Sequence, residues 1–160
     1  MSSKVIKIVD PSPDILNLQR ETLSSLSGVL PNSVVEAIGS MAVPIPGKLE
    51  LDILIISPDP IADIEAVEAC GYKRGLEVGG VYHLNKYINN IEIAIQIVPV
   101  GHKIVEIHKS ILKRLCDDEI LRQSYINFKR TLDGLTKQDY KKAKSVWIKE
   151  NLLKINKNPA

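Results

Sequence analysis

The chain has 160 residues, 44% of them hydrophobic and 25% charged, with a formal net charge of +2. That length fits one domain with a sizeable core, and the balance excludes a disordered chain. The near-neutral charge gives no global argument for nucleic acid or a membrane surface, and no apolar stretch approaches a membrane span.

In chain order, Val5 to Val9 reads as a short edge strand or extended arm. Ser12-Pro13-Asp14 opens a helix, with Ser12 as N-cap and Pro13 at the first helical position. Ile15, Leu18, Thr22, Leu23 and Leu26 form its apolar stripe, and Gly28 is expected to close it. Val34 to Ile38 is a strand running into Gly39-Ser40. Pro44 and Pro46 leave room for only a very short helix before Gly47. Leu49 to Ile56 is a strongly apolar strand, and Asp59-Pro60 caps a helix ended by Gly71.

A second β region follows Gly79-Gly80. Val81 to Tyr87 and Ile91 to Val98 flank Asn89-Asn90, a hairpin turn by composition. Ile91, Ile93, Ile95 and Ile97 share one face of the second strand; Glu92, Ala94, Gln96 and Val98 share the other. Helical spacing then takes over. One stripe is Ile104, Ile107, His108, Ile111 and Leu115, and a second is Leu121, Tyr125, Phe128, Leu132 and Leu135. Thr136 to Asp139 resembles a capping box before a last helix carrying Tyr140, Ala143 and Trp147. The order implies a single α+β domain over residues 1–153, a mixed sheet with helices on one face and a helical C-terminal third, followed by a polar tail over 154–160.

Glu50 and Asp52 carry the chemistry. Strand geometry sends them to one face, while Leu49, Leu51 and Ile53 take the other. Two neighbouring acids repel unless a cation sits between them, and Mg²⁺ carrying a phosphorylated ligand is the chemistry such a pair suits. The Gly39-Ser40 turn offers close backbone approach and N–H groups to an anion. The alternative is a plain turn with solvent-facing acids.

Gly39-Ser40 followed by acid–hydrophobic–acid resembles the hallmark of the nucleotidyltransferase superfamily. The run Ala37 to Pro44, with Lys48 and Leu51 to Ile55, resembles the GrpB family, a nucleotidyltransferase-like group. Val9-Asp10-Pro11, Cys70-Gly71-Tyr72, Lys129-Arg130 within Tyr125 to Leu132, and Lys144 within Tyr140 to Ile148 extend the resemblance over Ile6 to Leu153. It implies a nucleotidyltransferase-like mixed sheet, binding of a nucleotide or phosphorylated small molecule with Mg²⁺, and nucleotidyl transfer to an unknown acceptor. By the same resemblance, relatives occur alone or fused to dephospho-coenzyme A kinase.

The third carboxylate of working transferases falls where this chain has Gln96, a position at which GrpB relatives tend to have His. Glu92, four residues earlier on the same face, is the candidate substitute. Lys109-Ser110 stands where relatives often have Arg-Asp, and Glu50 where they commonly have an apolar residue. The catalytic candidates are therefore Asp52, Glu50, Glu92 and Gln96, with Glu50 and Asp52 as metal ligands. The phosphate or nucleotide candidates are Gly39, Ser40, Lys48, His83, Lys86, Lys129 and Lys144. The alternative is a binding or interaction module that has lost the third carboxylate and its turnover.

The remaining signals have plain structural readings. His108 on an apolar stripe reads as a partly buried structural histidine, and Trp147 and Phe128 read as core. Lys137, Lys141, Lys142, Lys144 and Lys149 read as a solvated helix face, which argues against an RNA partner. Two isolated cysteines and a start without an apolar leader suggest a cytoplasmic protein with reduced thiols. Self-association into a homo-oligomer is left open.

Overall fold

The structure, a computed structural model, describes residues 5–153. The polar tail expected at 154–160 lies outside the described residues. A five-stranded mixed sheet has the order β2 (Val34–Ile38), β4 (Glu50–Ser57), β7 (Ile91–Pro99), β6 (Val81–Ile88), β5 (Lys73–Val78). β4 and β7 run parallel and the other pairs antiparallel. A separate ribbon pairs β1 (Ile8–Val9) with β3 (Gly47–Lys48). The expected α+β class holds.

Local chemistry sets most boundaries. α1 (Pro13–Val29) is capped by Ser12, whose hydroxyl accepts from the Ile15 amide at 3.2 Å. It runs one residue past Gly28, which therefore does not close it; Leu30 does, through its amide to the Leu26 carbonyl. α2 (Pro60–Ala69) is capped by Asp59, and Gly71 turns the chain with φ 96°. Asn89 and Asn90 both take positive φ, 51° and 67°, giving β6 and β7 the two-residue turn that matches strand twist. β5 was not expected. All six of its residues are exposed, so no alternation announces it.

The odd-numbered residues Leu51, Ile53, Ile55, Ile93, Ile95 and Ile97 form the main core, packed with Leu26 of α1 and with Ile64 and Val67 of α2. The opposite face is divided. At one end Ile38, Leu54 and Val98 pack against Val105 of α3 (Lys103–Asp117), so helices cover both faces rather than one. At the other end, where β4 and β7 begin with acids, the sheet looks toward the helical third: α4 (Glu119–Arg130), α5 (Lys137–Ile148) and a final turn, Lys149–Leu153. Trp147 of α5 stacks on Tyr125 and Phe128 of α4 at 4.7 and 5.3 Å, and these rings do lie in a hydrophobic cluster.

The chain start is stitched to this third. The Ile6 amide donates to the Leu135 carbonyl at 2.7 Å, the Gly134 amide to the Ile6 carbonyl at 2.8 Å, and the Ile8 amide to Asp133 Oδ1 at 2.7 Å.

Candidate functional site

The parallel register between β4 and β7 places Glu92 beside Glu50, Ala94 beside Asp52 and Gln96 beside Leu54. On the next strand His83 lies beside Gln96 and Asn85 beside Ala94. All of these project to the face turned toward α5, because parity along each strand is preserved across the ladder. Between that face and α5 lies a cavity of about 570 Å³, lined by Lys48, Glu50, Asp52, His83, Asn85, Glu92 and Gln96 from the sheet side. From the helical side it is lined by Lys137, Tyr140, Lys141, Lys144, Ser145 and Lys149.

Asp52 also borders a smaller cavity of about 150 Å³, with Gly39, Gln96, His108, Tyr125 and Lys144. Gly39 has φ 76° and ψ −165°, a region open essentially only to glycine. A Cβ there would stand 2.6 Å from Asp52 Oδ2, so the turn and the carboxylate are in close approach.

Charge in the site is crowded on both walls. Burial, then the neighbouring Asp52 charge, pushes the Glu50 carboxyl up to about 8, although Lys48 Nζ stands 3.2 Å from its Oε2 and opposes the shift. Lys129 is 1% exposed; burial, then Lys144, brings its ammonium down to about 7, while Asp52 and Glu50 pull the other way. Its Nζ donates to Ser40 Oγ and sits 5.2 Å from the centre of the Tyr125 ring. Glu92 accepts from Asn85 Nδ2 at 3.1 Å. His108 Nε2 is 3.4 Å from Gln96 Oε1, and burial lowers the imidazole's affinity for a proton. Burial, then Lys141, does the same to His83.

The structure thus gathers Lys48, Glu50, Asp52, His83, Glu92, Gln96 and Lys144 around one cavity. Gly39 touches the smaller one, while Ser40 turns its hydroxyl to Lys129 beneath the turn. Lys86 requires correction. It pairs with Ile93 on the core-facing side, where its Nζ donates to the Cys70 carbonyl at 3.0 Å and lies 4.6 Å from the centre of the Tyr72 ring. It is an even residue on a strand whose odd residues face the cavity.

The lysines of α5 are exposed, as a solvated face is, except half-buried Lys144, and most of them also border the cavity. Lys137, Lys141, Lys144 and, just beyond the helix, Lys149 line the cavity; Lys142 does not. The spacing i, i+4, i+7 was the available signal, together with Tyr140 inside the run. His102 is structural: it caps α3 through Nδ1, and its Nε2 meets the Gly79 carbonyl at 2.8 Å.

Among the described residues no group of three or more His, Cys, Asp or Glu could hold a metal, and no helix is long and apolar enough to cross a membrane.

A mixed sheet whose parallel pair carries acids beside a Gly-Ser turn, closed by C-terminal helices, defines a nucleotidyltransferase-like α+β fold. Among solved structures, the crystal structure of conserved protein GrpB from Enterococcus faecalis matches with TM-score 0.67 and 23% identity, over 78% of this chain and 81% of that one. The chain belongs to the GrpB family, whose model, described as GrpB protein, matches residues 5–154. The Cid1 poly(U) polymerase is similar with TM-score 0.50 and 15% identity over 76% of this chain, and a cytoplasmic RNA terminal U-transferase with TM-score 0.48 and 16% identity, also over 76%. The match spans 43% and 42% of those two chains, less than half of either. No curated protein matches the chain significantly.

Proposed function

We propose that the larger cavity binds a nucleotide or related phosphorylated ligand together with Mg²⁺. One observation carries this reading: Glu50 and Asp52 on the sheet face Lys144 on α5 across the same hollow. A phosphate alone would meet the carboxylates, and a cation alone would meet the lysines. A metal–phosphate pair neutralises both walls. Burial and then the Asp52 charge raise the Glu50 carboxyl, and a bound cation would relieve that crowding.

The donor set fits Mg²⁺. That ion takes one or two carboxylates and completes its octahedron with phosphate oxygens and water. Asp52 and Glu50 would supply the two, and Lys48 would pass from Glu50 to the ligand's charge. Bound there, the metal would neutralise phosphate oxygens and orient an in-line attack. Nucleotidyl transfer to an acceptor is the activity such a site suits.

A second reading has its own support. Gln96, no carboxylate, stands where the family resemblance puts the third acid, and Glu92 is held by Asn85 beside Glu50 instead. These favour a module that binds without turnover.

Calorimetric titration with ATP, GTP, CTP and coenzyme A precursors, with and without Mg²⁺, tests the binding. Metal-dependent affinity that falls at least about tenfold in Asp52→Asn is the expected result. Binding indifferent to metal, or absent, would overturn it. Incubation of a bound, labelled nucleotide with and without candidate acceptors separates transfer from simple retention.

A further inference from the structure

We infer that the face of α5 turned away from the cavity is a homodimer interface, which seats the same face of a second copy in antiparallel register about Val146.

α5 carries two stripes. Lys137, Lys141 and Lys144 border the larger cavity, whereas Asp139, Lys142, Ala143, Val146 and Glu150 line a separate groove of about 530 Å³. No residue lines both, and the second set recurs at the spacing of a single helix face. Phe128 of α4, Leu135 of the connection and Trp147 complete the groove. Val146 is 50% exposed. A lone exposed valine is ordinary, but one set in an apolar groove, with a charge one turn to either side, has the anatomy of a contact surface.

The charges select the occupant. Lys142 precedes Val146 by four residues and Glu150 follows it by four, each about 6 Å away along the axis. Separated by about 12 Å of axis, these two cannot pair with each other. Among the described residues neither makes a salt bridge. Two antiparallel helices related by a two-fold axis at Val146 bring Lys142 of each copy to Glu150 of the other. Val146 then packs on its own counterpart, and the small Ala143 lets the helices approach. A face with one sign of charge at both ends would call for a different partner; this one complements itself. The lysine row lies on the other side of α5, so the dimer leaves both large cavities uncovered.

The test is sedimentation equilibrium of the whole protein over a wide range of concentration. Wild type should show a monomer–dimer equilibrium, and Trp147, the single tryptophan, should shift its emission across the same range. Val146→Glu puts like charges on the axis and should weaken the dimer at least about tenfold. Lys142→Glu should weaken it about tenfold as well. Lys142→Glu combined with Glu150→Lys should restore wild-type affinity, because both pairs re-form with their signs exchanged. All three positions are exposed, so these variants should keep the thermal midpoint of the monomer. A wild type still monomeric at about 1 mM would overturn the inference and leave the groove to another occupant. A dimer indifferent to Val146→Glu would overturn it, as would a double variant no tighter than Lys142→Glu alone.

Discussion

The ammonium of Lys129 donates to the hydroxyl of Ser40, joining α4 to the turn that follows β2 across 89 residues of sequence. This contact fixes the floor beneath Gly39 and Asp52. A hydrogen bond to a buried charge is among the stronger ones, and losing one partner strands the other. Ser40→Ala should therefore cost about 2 kcal/mol in urea unfolding. Lys129→Met removes the charge and keeps the volume, so it should cost less than Ser40→Ala. The reverse order would show that the ammonium finds its partner elsewhere.

Gly39→Ala places a methyl group on Asp52 in a backbone region that alanine avoids. Strain of this kind costs about 1–3 kcal/mol, and relief requires Asp52 to move. Stability should drop by that amount and metal-dependent ligand binding should vanish, both read from one purified variant.

The two shifted groups act on stability in opposite directions. Glu50 rises from 4.5 unfolded to about 8 folded, so its contribution is fully present below 4.5 and lost as pH rises through 8. Lys129 falls from 10.5 to about 7, so its contribution is fully present above 10.5 and lost as pH falls through 7. The two losses overlap between about 7 and 8, where the pair contributes least. Urea midpoints should show that the cost of Lys129→Met is smallest below about 7 and grows as pH rises toward 10.5.

Mg²⁺ taken up by Glu50 must displace the carboxyl proton. Below about 8 the metal's affinity should therefore climb with pH. Calorimetry in buffers of different ionisation enthalpy should register about one proton released for each ion bound. A flat pH profile would show that Asp52 binds alone.

Trp147 holds α5 to α4 by stacking on Tyr125 and Phe128. Trp147→Ala should destabilise the protein by about 3 kcal/mol. Because the lysine row rides on α5, ligand affinity should fall as well, although Trp147 does not line the larger cavity.

Most of the sheet was legible because its signals are local. A strongly apolar run marked β4, alternation marked β7, paired asparagines marked the hairpin of β6 with β7, and Ser12, Asp59 and Thr136 marked helix starts. Glu50 and Asp52 could be put on one face by parity alone. β5 was not legible, since a strand with every residue exposed has no buried period to read. Lys86 was named as a phosphate candidate from its charge, and the register puts it on the face opposite to His83 and Asn85. The burial of Lys129 and the placing of Lys144 against the cavity depend on how the helical third docks, which composition and spacing do not encode.

The stitching of Ile6 and Ile8 to Asp133, Gly134 and Leu135 closes a loop of some 125 residues, among the most costly in entropy the chain makes. A closure that long forms late and opens early relative to local contacts. Trimming the amino terminus would thus unmoor the lysine-bearing helix at the far end of the polypeptide while leaving the five-stranded sheet intact.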